Sequence, residues 1–276
     1  MLINSVIFVL QETLEAALLI TVLLTINHQR GASLNWLFTG LVAGLFLSLL
    51  YAVNMASISE WFDYVGQEVV NASLQTAITL FIGLFALSLR RVTQNQTDGD
   101  KPISRAVRNA LFIAASGSIT CAITVEGSEI LVYLRGFFHQ TTELQSALMG
   151  SSIGFAIGLS IGVLLYYLLR SLPPSLMRLT ALILLAMFAG NMLSQAALQL
   201  TQADWISSSQ ALWNTSGWLS ESSIAGRLLY ALIGYEATPS LAQVISYLLG
   251  AGLVLLLCML GKPASSLSDP NKPAAG

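Results

Sequence analysis

Two pairs of carboxylates lie inside otherwise apolar runs: Glu12 and Glu15 in VLQETLEAALLI, and Glu126 and Glu129 in ITVEGSEILVYL. Ionisable groups within a membrane span are expensive and mark ion pathways, proton relays or substrate sites. Residues i and i+3 of a helix are neighbours on one face, so each pair converges. If the two faces meet, four carboxylates supply a hard oxygen ligand set, suited to hard cations rather than to Cu(I) or zinc. No Cys or His joins them. Cys121 and Cys258 sit in apolar stretches without metal-type spacing, and His28 and His139 fall at the edges of spans, where interfacial contact is expected. No Lys or Arg lies near either pair within its apolar run. Four ionised groups at mid-membrane would cost roughly 10–14 kcal/mol on translocon-type scales, so protons or a multivalent cation must relieve the charge. Cation entry is therefore expected to displace protons, and binding to depend on pH.

The elements that must position these groups are membrane helices. Of 276 residues, 55% are hydrophobic and only 9% charged, against about 25% charged in ordinary soluble proteins. Seven apolar segments are each long enough to cross the hydrocarbon: approximately 2–26, 34–57, 69–90, 109–134, 146–169, 177–200 and 239–260. They are continuously apolar and lack the alternating pattern of barrel strands. The fold class expected is an all-α polytopic membrane protein with seven transmembrane helices. The first apolar run has no basic region before it and no small-residue cleavage site after it, so it is expected to stay as the first helix.

Basic residues accumulate on the cytoplasmic side of membrane proteins. With the N-terminus outside and the C-terminus inside, Arg30, Arg90, Arg91, Lys101, Arg105, Arg108, Arg170, Arg178, Lys262 and Lys272 all fall inside, and only Arg135 and Arg227 fall outside. The outer side then carries Glu60, Asp63, Glu68, Glu143, Asp204, Glu221 and Glu236. Acidic groups on that side attract cations, and Glu60, Asp63 and Glu68 are the candidates for this role.

Glu12 and Glu126 are 114 residues apart, as are Glu15 and Glu129. The offset suggests a duplicated unit of three helices, and an odd unit inverts. One transmembrane domain is expected over 1–262: repeat one about 1–92, repeat two about 106–202, an outer segment 203–238 and a last helix 239–260. The polar stretch 94–105 would join the repeats, and the tail 263–276 is expected to be disordered. In inverted repeats, sites lie near the bilayer midplane at the repeat interface. Gly40 and Gly44, and Gly150, Gly154, Gly158 and Gly162, recur every fourth residue and predict close helix contacts. Asn71 and Gln75, and Asn191, Gln195 and Gln199, would line an outward vestibule or bond neighbouring helices. Trp205, Trp213 and Trp218 suit the membrane interface, where residues 227–232 are expected to lie as a short amphipathic helix.

With these features the chain resembles the high-affinity iron permease family, the oxidase-dependent iron transporters, whose signature is Arg-Glu-x-x-Glu in helices 1 and 4. The corresponding stretches are Gln11-Glu12-Thr13-Leu14-Glu15 and Val125-Glu126-Gly127-Ser128-Glu129. Residues 212–249, LWNTSGWLSESSIAGRLLYALIGYEATPSLAQVISYLL, are also similar to bacterial members. The resemblance implies inward permeation of iron, in its ferric form, across the cytoplasmic (inner) membrane, with Glu12, Glu15, Glu126 and Glu129 as metal ligands. It also implies a separate periplasmic or extracellular iron-delivery or ferroxidase protein as partner. The leading Arg of the signature is Gln11 in one motif and Val125 in the other. That leaves the carboxylates to be balanced by protons or the metal, and a divalent ion such as Fe(II) or Mn(II) also suits oxygen ligands.

Iron is thus expected as substrate, with no organic cofactor and membrane lipid as the surroundings. There is no phosphate-binding glycine loop, no paired catalytic His and no basic nucleic-acid face, so neither an enzyme nor a nucleic-acid partner is expected. Two other functions fit the same residues: a transporter of another cation such as Mn(II), and a non-transporting membrane scaffold for periplasmic iron-handling proteins.

Overall fold

The computed structural model describes residues 2–97, 104–138, 141–220 and 223–259. The expectations for Lys101, His139, Glu221, Lys262, Lys272, the middle of the 94–105 link and the 263–276 tail lie outside the described residues. Among the described residues the chain is helical, in the order α1 Leu2–Gln29, α2 Asn35–Ser59, α3 Trp61–Tyr64, α4 Gly66–Thr97, α5 Arg105–Arg135, α6 Thr141–Ser171, α7 Pro174–Gln202, α8 Ile224–Ile233 and α9 Leu241–Met259. Seven of these, all but α3 and α8, are long and apolar enough to cross a membrane. Each matches one of the seven apolar segments, which begins one residue early at α2 and overruns α9 by two residues at its start and one at its end. Even α9, with 19 residues, is about 28 Å long at 1.5 Å per residue.

The helix ends follow from local chemistry. Ser104 caps α5 by accepting from the Val107 N–H at 3.3 Å, and Ser223 caps α8 by accepting from the Gly226 N–H at 3.0 Å. Proline opens α7, where its missing N–H costs no bond. Gly234 ends α8 at φ 70°, the left-handed form glycine adopts without strain. Between α2 and α4 the chain reverses through Phe62, Asp63 and Tyr64, all at positive φ. Gly66 completes that reversal, because a Cβ there would lie 1.8 Å from the Ile58 carbonyl oxygen.

Two tight helix contacts organise the bundle. The glycine stripe of α6 lies on α1: a Cβ on Gly150 would meet Leu2 and Ser5, one on Gly154 would meet Val6 and Leu10, and one on Gly158 would meet Thr13. The stripe of α2 lies on α5 in the same manner. A Cβ on Gly40 would meet Ser116 and Ile119, one on Gly44 would meet Thr120 and Ile123, and Gly127 faces Ser48. Ser116, Ile119 and Gly127 stand 114 residues beyond Leu2, Ser5 and Thr13. The two interfaces are thus built at matching heights, and in each the helices run parallel, since contacts advance along both together. In each contact a helix of the first three spans packs on one of the second three.

Leu18, Leu19, Val22 and Leu23 of α1, Ile78, Ile82 and Phe85 of α4, Ile119 of α5, and Leu185, Phe188 and Met192 of α7 form the buried apolar core. Residues 203–220 are tied to the chain before α9 by Leu212 N–H to Pro239 O and Thr215 N–H to Ala237 O, both 2.9 Å. The expected short helix at 227–232 is present as α8, but it does not stay at the periphery. It packs on α1 and α7, its Ala231 is buried and its Leu232 meets the core.

Candidate functional site

Glu12 and Glu15 occupy the buried middle of α1, with 6% and 2% of their surfaces exposed, and Glu126 occupies α5 with 5%. Glu129, one turn further along α5, is partly buried. Helices α1 and α5 cross antiparallel here: Ser5 Oγ lies 2.7 Å from the Tyr133 hydroxyl and Phe8 stacks against the Tyr133 ring at 4.7 Å, while Glu12 meets Glu126. The carboxyl groups of Glu12 and Glu126 face each other at the crossing. A hydrogen bond between them would need a proton on one of the two, because ionised carboxylates only accept.

Glu15 and Glu129 reach outward from this crossing to neutral donors on different helices. Glu15 accepts from Gln195 Nε2 of α7 at 3.0 Å and from Gln11, one turn earlier on α1. Gln195 Oε1 in turn accepts from Gln75 Nε2 of α4 at 2.9 Å. Glu129 accepts from Asn71 Nδ2 of α4 at 3.3 Å, and the Tyr51 hydroxyl of α2 donates to Asn71 Oδ1 at 2.8 Å. Glu15 and Glu129 are therefore held by amide donors, with the Tyr51 phenol behind Asn71. Gln11 does by hydrogen bonding part of what a cation at that position would do by charge; Val125 is buried and cannot.

The two halves differ in what the remaining amide does. Asn191 lies four residues before Gln195, as Asn71 lies four before Gln75, yet Asn191 Nδ2 points to the Tyr230 carbonyl of α8 at 3.4 Å rather than to a carboxylate. Tyr230 itself stands over the cluster. Burial first, and the negative potential of Glu15 next, push its phenol well above the ordinary tyrosine range, so it remains a neutral hydroxyl.

Other candidates lie apart. Glu60 and Asp63 are exposed around the α2–α4 reversal and Glu68 is partly buried at the start of α4; none bonds to the four glutamates. Exposed His28 ends α1, and Cys121 and Cys258 are free and partly buried. Among the described residues no three His, Cys, Asp or Glu side chains are gathered tightly enough to hold a metal ion; the glutamates meet as one facing pair with two flanking members.

The glutamate spacing points to this cluster, and the amide periodicity to its immediate partners, although as open alternatives. Tyr51 and Tyr230 carry no such signal. Neither stands at a fixed spacing from a glutamate, and Tyr230 belongs to a segment whose path only tertiary packing sets.

The sequence matches the Iron permease FTR1 family over residues 2–267. The chain belongs to that family. No curated protein and no solved structure matches it. Membership together with seven membrane-capable helices makes this a multi-pass membrane permease of the iron-transport type.

Proposed function

We propose that this permease moves ferric iron inward across the cytoplasmic membrane, and that Glu12, Glu15, Glu126 and Glu129 bind the ion in exchange for protons. The observation that carries the proposal is the meeting of the buried Glu12 and Glu126 carboxyl groups at the crossing of α1 and α5. A shared proton is what allows two acidic groups to meet away from bulk water, and removing it leaves two anionic oxygens facing one another. A trivalent cation is the natural replacement, with Glu15 and Glu129 swinging from their amide donors to complete an oxygen shell.

The matched α1–α6 and α5–α2 contacts favour two inverted units, α1, α2 and α4 against α5, α6 and α7, with the Glu12–Glu126 pair near their common axis. Sites at such axes are reached alternately from either side as one unit rocks against the other. Glu60, Asp63 and Glu68 would raise the local cation concentration on the outer side. Oxidation or delivery of iron is assigned to a separate protein outside the membrane.

The test is uptake into vesicles reconstituted with the full chain, with Fe(III), Fe(II) and Mn(II) supplied separately at two pH values. Fe(III) uptake that responds to pH is expected. Entry of Mn(II) without iron would assign another substrate. Undiminished iron flux in both Glu15→Gln and Glu129→Gln, at equal membrane abundance, would make the protein a scaffold instead.

A further inference from the structure

Three buried or half-buried amides connect the flanking glutamates, and one of them is only half used. Gln195 employs both ends of its amide, Nε2 on Glu15 at 3.0 Å and Oε1 on Gln75 at 2.9 Å. Asn71 does the same, with Nδ2 on Glu129 at 3.3 Å and Oδ1 on the Tyr51 hydroxyl at 2.8 Å. Gln75 gives its Nε2 to Gln195, but its Oε1 has no hydrogen-bond partner among the described residues, although the side chain is only 2% exposed. The orientation follows from the carboxylate outward. Glu15 takes the N–H of Gln195, so Gln195 turns its oxygen to Gln75, which must answer with N–H and leave its own oxygen over. The hydroxyls nearest in sequence do not serve that oxygen: Thr76 donates to the Ala72 carbonyl at 2.8 Å, and Thr79 to the backbone carbonyls of Gln75 and Ala189 at 3.3 and 3.1 Å. A buried acceptor without a partner is costly and rare, and calls for a reason such as a bound ion.

Helix packing sets the height of this oxygen. α4 and α5 run antiparallel, since Asn71 meets Glu129 and a Cβ on Gly117 would touch the Phe81 ring. Gln75 stands one turn along α4 from Asn71, on the same face, and therefore level with the turn of α5 that carries Glu126. It is thus one turn from the amide that holds Glu129 and one amide away from Glu15. We propose that Gln75 Oε1 is a ligand of the transported ion, a fifth protein oxygen beside the four glutamates. The proposal rests on the carboxylate site put forward above and adds to it a neutral member. An amide carbonyl is a hard oxygen donor of the same class. Unlike a fifth carboxylate, it adds a coordination bond without adding charge where charge is expensive. The Nε2 bond to Gln195 meanwhile holds the amide in one orientation, so the oxygen is in place before the ion arrives.

The experiment measures binding rather than transport. The purified full chain in detergent is titrated with Fe(III) citrate, bound iron is counted after removal of free chelate, and thermal unfolding is recorded with and without iron. Gln75→Leu should bind iron about tenfold more weakly, the worth of one polar contact, and show a smaller iron-induced rise in Tm. The same factor should separate Gln195→Leu from Gln75→Leu/Gln195→Leu. An ion ligand acts without Gln195, whereas a residue that only steadies Gln195 loses its effect once Gln195 is gone. Gln75→Glu keeps an oxygen at that place; it should bind at least as tightly as the wild type, and it decides the matter should Gln75→Leu fail to fold. Unchanged iron affinity in Gln75→Leu, as when a water alone meets the oxygen, would overturn the proposal. So would a tenfold loss in Gln75→Glu, or a Gln75→Leu effect that vanishes beside Gln195→Leu. Glu12→Gln/Glu126→Gln separates this failure from failure of the carboxylate site. Binding lost there but kept in Gln75→Leu removes the fifth ligand alone; wild-type binding there removes the four glutamates and Gln75 together.

Discussion

In the proposed function Glu12 and Glu126 act as a carboxyl group and its acceptor, and that sets what their replacement does. Glu126→Gln keeps a donor in the same place, so the bundle should stay folded while iron binding is lost; equal yield and Tm with abolished vesicle uptake is the expected result. Asn71→Ala and Gln195→Ala remove the donors that aim Glu129 and Glu15. Outer partners of metal ligands typically change affinity about 10–100-fold, and a loss of that size in apparent iron affinity is expected for each, measured by uptake against iron concentration. If protons and iron compete for the same oxygens, as proposed, affinity should rise as pH rises and fall in acid. The glutamates were legible from spacing alone, because i and i+3 on an apolar helix admits one geometry. The absence of an Arg before each motif was equally plain, but not what stands in its place: that Gln11 and Gln195 both serve Glu15 depends on where α7 lies.

At the scale of elements, the spans could be read from composition to within a few residues, since continuous apolar runs of this length have little choice in lipid. The glycine periodicities also announced close helix contacts, yet not their partners. Neighbouring helices in sequence would have been the ordinary expectation; instead α6 takes α1 and α2 takes α5. The matched geometry predicts matched consequences. Gly154→Leu would drive a side chain at the Val6 carbonyl oxygen, 2.4 Å from the Cβ position, and Gly44→Leu would drive one at Ile123, 2.7 Å away. Overpacking of this kind typically costs about 1–3 kcal/mol, and both variants should unfold at lower temperature in detergent. Gly252→Leu, where nothing lies within 4 Å, should leave the Tm near that of the wild type. α8 was visible as a short amphipathic stretch, but its amphipathicity did not distinguish a membrane surface from the polar groups above the glutamates, which is where it docks.

For the whole molecule, the distribution of Lys and Arg argues for an N-terminus outside and a C-terminus inside. A C-terminal green fluorescent protein fusion should therefore fluoresce in bacterial cells and a C-terminal alkaline phosphatase fusion should be inactive; the opposite pattern would reverse the transport direction proposed above. The larger picture is of interlocked halves that bring two acidic helices together, with neutral amides and phenols around them. In the proposed function a proton on the Glu12–Glu126 pair holds the place of the ion. The most direct test is to add Fe(III), as a soluble chelate, to the purified permease in weakly buffered detergent and record iron bound and protons released together. Wild-type protein should release protons in proportion to iron bound, beyond those the chelate itself gives up, and Glu12→Gln/Glu126→Gln should neither bind iron nor release them. Iron bound without proton release, or bound equally by that variant, would contradict the account.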